Sequence, residues 1–101
     1  MPLRMLIVVR DDLPSNHVAL TCAHASLAAY LLWEKEPLMK QWRQNSFLKV
    51  IRKATADQFE QAKLEHPRLI MTESSLDGRE TSLVFQMAEE YPKFLNYLPR
   101  Y

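Results

Sequence analysis

Glycine and cysteine are the residue types that this 101-residue chain has least of, with one of each, Gly78 and Cys22. A phosphate-binding P-loop needs at least two glycines and a dinucleotide-binding fingerprint needs three, so one glycine excludes both nucleotide signatures. One cysteine excludes a disulfide within the chain and a zinc site built from several cysteines. We therefore expect no metal and no cofactor, and the single thiol fits a reducing compartment.

An excess of charge of one sign and long hydrophobic runs are also absent. Thirteen basic and twelve acidic residues give a formal net charge of +1, which is far from the strongly basic surface of a dedicated nucleic-acid-binding protein. The apolar run Met5–Val9 is shorter than the core of a secretory signal, and the apolar-rich stretch 18–33 is shorter than a membrane span. We expect a cytoplasmic protein without a membrane segment, and its length supports one core and one domain over residues 1–101.

The spacing of apolar residues predicts four strands and four helices in the order β-α-α-β-α-β-β-α. Met5–Val9 is a continuous, β-branched-rich run, typical of a strand that is buried on both faces. Pro14 and Ser15 after it offer a turn and a helix N-cap. The other predicted elements are helices at 16–35, 38–44 and about 55–65, a last helix with Pro92 in its first turn, and strands at 47–51, 69–71 and 81–87.

Helices between strands predict right-handed parallel crossovers, and the last two strands can close as an antiparallel pair. We therefore expect a three-layer α/β/α fold with a four-stranded mixed sheet. Thr55 and Gln58 have the spacing of a capping box, and the pair His66-Pro67 is expected to end the helix behind them. The first helix is predicted to bury one apolar stripe, in which Cys22 is a small core residue: Val18, Cys22, Ala25, Ala29 and Leu32.

The start of the first helix is the most credible binding locus. Ligands of open α/β sheets bind beyond the carboxyl ends of the parallel strands, and the first strand delivers Arg10 and Asp12 there, shortly before Asn16. Free backbone N–H groups and the dipole at a helix N-terminus attract phosphate or carboxylate. Many α/β proteins present such an end without a ligand, so an ordinary helix start is the alternative.

Three polar residues of the first helix, His17, Thr21 and His24, have the spacing i, i+4, i+7 of one helix face. We expect this face to lie opposite the apolar stripe, where a histidine near neutrality can transfer protons. The alternative is a solvated polar face. The later segment Thr72–Arg79 offers hydroxyl and carboxyl groups to a substrate, or it is an ordinary polar turn closed by Gly78.

The second helix holds a weaker candidate for RNA binding. The candidate patch is Trp42 with Lys35, Lys40 and Arg43, and basic and aromatic side chains together bind single-stranded nucleic acid. Acidic neighbours, Glu34 and Glu36, dilute this patch. A solvated helix with Trp42 anchored inward is the stronger interpretation.

The string MLIVVRDDL…VALTCAHASLAAY resembles the type II peptidyl-tRNA hydrolases, the archaeal and eukaryotic kind. In that family an apolar strand precedes an Arg-x-Asp-Leu loop and then a helix with the motif Gln-Cys-x-His-Ala. The order of the later elements is similar over nearly the whole chain, while the residue-level match covers about the first third. The matching positions are Arg10, Asp12 and Leu13 in the loop, and Cys22, His24, Ala25 and Leu27 in the helix.

The chain departs from the family's pattern in both signature motifs. His17 stands where the family has a functional lysine, and Thr21 stands where it has glutamine. The motif Asp-Ala-Gly-x-Thr before the last strand is incomplete. One register aligns its aspartate with Asp77, and the other aligns it with Thr72 or Glu73.

The resemblance implies hydrolysis, without a metal, of the ester that joins a peptide to the terminal ribose of tRNA. It implies His17 as proton donor or cation, Thr21 as a group that positions water, and Glu73 or Asp77 as the base. Peptidyl-tRNA is the implied partner, and a homodimer is left open. The substrate-binding residues that it implies are Arg10, Asp12, Asn16, His24 and Arg79.

Two other functions stay open from the sequence. A non-catalytic binding module on the same scaffold is suggested by the two altered motifs and by the net charge of +1, which does not favour a tRNA ligand. The second open function is an enzyme that acts on a small acyl or anionic substrate in the same cleft. The catalytic hypotheses need His17 and the segment Thr72–Arg79 to converge in one place.

Overall fold

The structure is a computed structural model that describes residues 2–65 and 68–101. The elements follow in the predicted order, and the predicted helix end at His66-Pro67 lies outside the described residues. The strands are β1 (Arg4–Arg10), β2 (Leu48–Ala54), β3 (Arg68–Glu73) and β4 (Arg79–Phe85). The helices are α1 (Ser15–Trp33), α2 (Pro37–Gln44), α3 (Ala56–Ala62) and α4 (Lys93–Tyr97), and a 3-10 turn, Ser74–Leu76, joins β3 to β4.

The four strands form one mixed sheet in the order β2-β1-β4-β3. β1 pairs with β2 in parallel, and β4 is antiparallel to both of its neighbours. This confirms the predicted four-stranded sheet with an antiparallel last pair, and it makes β1, β2 and β3 run in the same direction. The outer edge of β2 is partly covered by the C-terminal residues, since the backbone N–H of Tyr101 donates to the carbonyl of Ile51 at 3.0 Å.

The central strand β1 is buried on both faces, as predicted, and its alternating side chains divide the core into two clusters. Met5, Ile7 and Val9 pack on the side of α1 and α2, while Leu6 and Val8 pack on the side of α3 and α4. Helices therefore cover both faces of the sheet, which gives the α/β/α arrangement.

The buried stripe of α1 differs from the predicted one. Ala25 and Ala29 are fully buried, but Leu32 is 57% exposed, and Val18 and Cys22 lie half-buried at the margin of the stripe. The observed stripe recurs every four residues and is anchored at its C-terminal end by a tryptophan: Thr21, Ala25, Ala29 and Trp33. The prediction failed because it counted only apolar residues, whereas a buried threonine with hydrogen-bond partners belongs to this face.

The two predicted helix caps have different outcomes. At α3 the capping box is confirmed, because the Gln58 backbone N–H donates to the Thr55 hydroxyl at 3.2 Å and the Thr55 N–H donates to Gln58 Oε1 at 2.9 Å. At α1 the N-cap position is Pro14, and no side chain caps the helix. The free N–H groups of the first turn therefore stay available to other acceptors.

Candidate active site

Four chain segments meet at one end of the sheet. β1 and β3 both end there, with Arg10 and Glu73 as their last residues, and β4 begins there at Arg79. Helix α1 starts above the same end and carries His17 in its first turn. Strand β3 extends two residues beyond the predicted strand and ends at Glu73. Glu73 pairs with Arg79 across the antiparallel ladder.

His17 and the segment after β3 converge, as the catalytic hypotheses require. The Nε2 atom of His17 lies 3.2 Å from Ser75 Oγ, and its Nδ1 atom lies 3.3 Å from the side-chain oxygen of Asn16. The Ser75 hydroxyl donates to Glu73 Oε1 at 3.0 Å. We call His17, Ser75 and Glu73 the site cluster.

Proton counting shows the direction of the hydrogen bonds in the site cluster. The Ser75 hydroxyl has one proton, and that proton goes to Glu73, so Ser75 Oγ can only accept from His17. The Nε2 atom of His17 is therefore the donor in its contact with Ser75. The cluster thus runs from a proton donor, His17, through Ser75 to a proton acceptor, Glu73.

Glu73 is held in its anionic form by its surroundings. The backbone N–H of Ser75 donates to Oε1 at 3.2 Å, and this bond, followed by the one from the Ser75 hydroxyl, lowers the pKa of Glu73 below its ordinary value. Burial acts in the opposite direction, and the charges of His17 and His24 add to the lowering. Glu73 is thus a carboxylate at neutral pH, able to accept a proton.

His24 flanks the cluster from the next turns of α1. Its Nε2 atom lies 4.0 Å from Glu73 Oε2, and its side chain is 54% exposed. The predicted sharing of one helix face by His17 and His24 is confirmed, because both reach the same carboxylate segment.

A chain of two ion pairs lies beside the cluster. Asp12 Oδ2 is 2.8 Å from an Arg10 nitrogen and its Oδ1 is 2.5 Å from an Arg79 nitrogen. Burial alone would raise the pKa of Asp12, but the hydrogen bond from Arg10 and the charges of both arginines outweigh it and lower the pKa. Arg79 pairs with Glu73 in the sheet and therefore borders the site cluster, whereas the guanidinium of Arg10 lies over the ring of Phe59 on the α3 side of the sheet.

The sequence profile of one family, the peptidyl-tRNA hydrolase PTH2 family, matches residues 3–77. That is about three quarters of the chain. The chain belongs to the peptidyl-tRNA hydrolase PTH2 family. A comparison with curated proteins finds no match.

The family match supports a peptidyl-tRNA hydrolase-like function and the α/β fold seen in the structure. It includes α1 and the segment after β3, and it ends at Asp77. In this family member, β4 therefore lies beyond the matched segment, although it supplies Arg79 to the site.

Thr21 does not lie where the sequence predicted. Its side chain is 3% exposed and faces β4, where its Oγ1 atom is 2.7 Å from both Thr81 Oγ1 and Ser82 Oγ. The expected solvent-side polar face is wrong at this position, because the two hydroxyls of β4 give a buried threonine its partners. Thr21 therefore ties α1 to the sheet and has no free surface for positioning a water.

The structure also separates the two carboxylates that the sequence offered as the base, Glu73 and Asp77. Asp77 is exposed, has a left-handed backbone with φ of 58°, and ends the 3-10 turn with its backbone N–H bonded to Ser74. Within residues 2–65 and 68–101, its carboxylate contacts neither His17 nor Glu73. The register that aligns the family's aspartate with Glu73 is the one that this geometry favours.

Three site residues were given no individual role from the sequence: Ser75, which was included only as part of the segment Thr72–Arg79 and joins His17 to Glu73, and Thr81 and Ser82, which hold Thr21. Ser75 follows Glu73 by two residues, a spacing at which a carboxylate commonly accepts a backbone N–H in a turn. That signal points to the turn, but nothing local shows that α1 lies above it.

Neither a metal cluster nor a membrane helix is found in the described part of the chain. No group of three or more histidine, cysteine, aspartate or glutamate side chains could hold a metal ion there. No helix in the same residues is long and apolar enough to cross a bilayer.

Proposed function

We propose that this protein hydrolyses the ester between a peptide and tRNA, and that the site cluster carries out the reaction. The observation that carries the proposal is the convergence of His17 and Glu73 on the hydroxyl of Ser75. It brings a proton donor and a proton acceptor together at a helix N-terminus, from segments that are 58 residues apart. Membership of the peptidyl-tRNA hydrolase PTH2 family supports the choice of substrate.

In the proposed mechanism, the Glu73 carboxylate accepts a proton from a water molecule that attacks the ester carbonyl. The negative charge that develops on the carbonyl oxygen is stabilised by cationic His17 and by the free N–H groups at the start of α1. His17 then protonates the departing ribose oxygen. The products are the free peptide acid and tRNA with a free terminal hydroxyl.

The ion-paired arginines are proposed to bind the substrate. Arg79 borders the cluster and shares the carboxylate of Asp12 with Arg10, so two positive charges face one negative charge. The excess positive charge can attract a phosphate of the tRNA end. Asn16 orients the ring of His17 through Nδ1, and His24 stands at the open side of Glu73.

The deciding experiment is release of peptide from purified peptidyl-tRNA by the wild type and by His17→Ala, Glu73→Gln and Ser75→Ala. We expect a loss of about a hundredfold for His17→Ala and Glu73→Gln, the usual range for general acid–base groups, and a smaller loss for Ser75→Ala. Glu90→Gln, on an exposed residue outside the site, is the matched control for Glu73→Gln.

Equal rates for the wild type and His17→Ala would contradict the proposed role of His17. A wild type without turnover above a heat-inactivated sample would contradict the hydrolase proposal as a whole. It would favour the non-catalytic binding module, which the net charge of +1 also suits.

We also propose that residues 1–101 act as one domain and that the protein works in the cytoplasm, where the substrate of its family arises. A homodimer stays a prediction. Its expected surface is the outer ridge of α1, a helix with no Asp, Glu, Lys or Arg, on which Leu20 and Leu31 are 40% and 62% exposed. Two copies of such a ridge meet without charge repulsion, and sedimentation velocity of the purified protein tests the pairing.

A further inference from the structure

A second concave surface lies on the flank of α1 away from the site cluster. One cavity of about 520 Å³ is lined by residues of α1, α2 and β2, and a second of about 700 Å³ continues it towards the start of α1. The two cavities share Cys22 and Ile51. They form one groove, which we call the α1–β2 groove.

The groove exists because α1 does not cover the edge of the sheet. Helix α1 contacts β4, β3 and β1, and no comparable contact with β2 is formed in the described residues. The face of β2 on this side therefore stays open, and Lys49 and Ile51 point from it into the groove. The site cluster has no part in this surface.

At the far end of the groove, Phe47 is an exposed aromatic side chain with a fixed position. It is 55% exposed, and its ring stacks on Trp42 with centroids 4.8 Å apart and an interplanar angle of 29°. Trp42 is itself buried and donates from Nε1 to the carbonyl of Leu48 at 2.7 Å. The ring of Phe47 therefore packs against a buried side chain that its own hydrogen bond holds in place.

The backbone of Phe47 is strained. Its φ is 52°, in the left-handed region that L-residues with a side chain avoid. Such outliers persist where the surrounding structure enforces them, and they cluster at ligand-binding sites. Here the left-handed residue follows α2, where its backbone N–H donates to the carbonyl of Trp42 at 2.7 Å, and the same conformation leaves an apolar ring 55% exposed.

The charge around the ring is positive. The Nζ atom of Lys49 is 4.1 Å from the Phe47 centroid and 5.4 Å from the Trp42 centroid. With the two centroids 4.8 Å apart, these distances place Lys49 Nζ to one side of the line that joins them, and the Phe47 side chain is still 55% exposed. Arg43 lies over the ring of Tyr30 at 5.9 Å, and the residues that line the 520 Å³ cavity include these two cations and no carboxylate.

We propose that the α1–β2 groove binds single-stranded RNA, with a base stacked on the outer face of Phe47 and phosphates beside Lys49 and Arg43. An exposed aromatic ring next to cations is the common arrangement for sequence-tolerant binding of single strands. The groove runs along α1 from Tyr30 to Ser15, which is about 22 Å at 1.5 Å per residue. Both cations line the 520 Å³ cavity, and the residues that line the 700 Å³ cavity include no lysine or arginine, so we expect two phosphate contacts.

This inference goes beyond ester hydrolysis, and binding at the groove is measurable without it. Wild-type protein that binds RNA but does not cleave peptidyl-tRNA would contradict the proposed function alone. Protein that cleaves the ester without binding RNA through Phe47 would contradict the groove alone.

The test is fluorescence anisotropy with a labelled single-stranded RNA of about twelve nucleotides, within the site sizes known for such grooves, and with the same sequence as a duplex. We expect the wild type to prefer the single strand, and Phe47→Ala to weaken binding about five- to hundredfold, the range for removal of one stacking ring. Phe47→Trp restores the platform and is expected to bind at least as tightly as the wild type. Tyr97→Ala, on an aromatic residue that is 79% exposed on α4, is the matched control and should bind normally.

Salt dependence provides a readout that does not depend on the Phe47 variants being folded. With two phosphate contacts, log affinity should fall against log salt with a slope of about −1.4, since each contact on a single strand contributes about −0.7. Lys49→Gln should halve that slope, whereas Lys93→Gln, on α4, should leave it unchanged.

Three results would overturn the inference: equal affinity for the duplex, unchanged binding by Phe47→Ala together with an unchanged slope in Lys49→Gln, or no binding of the single strand at low salt. A monomer–dimer equilibrium that Phe47→Ala abolishes would instead assign the groove to a second copy of the chain.

Discussion

The Oγ1 atom of Thr21 lies 2.7 Å from the Oγ1 atom of Thr81, and this buried contact fixes the height of α1 above the sheet. Ser82 Oγ lies at the same distance from Thr21, and Thr81 also donates to the carbonyl of Met71 on β3 at 3.3 Å. One hydroxyl of α1 is therefore joined to β4 directly and to β3 through Thr81. His17 lies one turn before Thr21 on the same helix, so its position over Ser75 and Glu73 depends on this contact.

We expect Thr21→Val to destabilise the fold by about 1–3 kcal/mol, because it removes one hydrogen-bond partner from each of two buried hydroxyls of β4, Thr81 and Ser82. Thr21→Ser keeps the hydroxyl and should retain most of the stability. Urea denaturation followed by circular dichroism measures both. Thr72→Val, on an exposed threonine of β3, is the control and should stay within about 0.5 kcal/mol. A Thr21→Val protein as stable as this control would show that the hydroxyl contact contributes nothing.

The pH dependence of hydrolysis should report the lowered pKa of Glu73. The ionised carboxylate is the active form, so the rate falls as pH falls through the pKa of Glu73 in the folded protein. Because that pKa is held below the ordinary value of 4.5, the midpoint of the acid limb should lie below pH 4.5. The measurement is kcat/KM for peptidyl-tRNA against pH, with circular dichroism at each pH to confirm that the protein is folded.

Ser75→Ala separates the two hydrogen bonds that lower this pKa. It removes the hydroxyl but keeps the backbone N–H, whose contribution is the larger. The midpoint should therefore move upward towards 4.5 without reaching it. A wild-type midpoint at or above the ordinary value would show that Glu73 is not the group that titrates.

The sequence predicted the fold well because the elements are specified locally. The apolar run Met5–Val9 can only be a buried strand, and the pair Thr55 and Gln58 caps its helix by contacts within four residues. The family profile, which matches residues 3–77, agrees with this architecture. Where neighbours in sequence decide the structure, spacing is enough.

The site was predicted only in part, since its decisive contacts join distant segments. The spacing of His17 and His24 predicted that the two side chains share one helix face. Ser75 was given no role of its own, because its partner on α1 is 58 residues away. Thr21 was placed on the wrong face for the same reason: its burial depends on hydroxyls of β4 that come about sixty residues later. The groove beside Phe47 exists because α1 leaves β2 uncovered. No local sequence pattern predicts which strand a helix leaves uncovered.

Cys22 should react slowly with thiol reagents in the native protein. It was predicted as a core residue, whereas the structure places it half-buried between the core and the groove. Burial raises the pKa of its thiol, which lowers the fraction of reactive thiolate at neutral pH. We expect iodoacetamide to label the native protein several-fold more slowly than the urea-unfolded chain. Equal rates in the two states would mean that the thiol is not protected, and occupation of the groove by RNA should slow the native reaction further.

Comparison of Phe47→Gly with Phe47→Ala isolates the backbone strain at this position. Both changes remove the ring and its stacking on Trp42, so they lose the same side-chain contact. They differ in that alanine keeps a Cβ at a φ of 52°, which costs about 1–2 kcal/mol for an L-residue in the left-handed region, whereas glycine adopts it freely. Phe47→Gly should therefore be the more stable of the two by about 1 kcal/mol in urea denaturation. A glycine variant less stable than the alanine variant would show that the loop relaxes out of the left-handed conformation once the ring is gone, and the ring itself would then be what holds the backbone there.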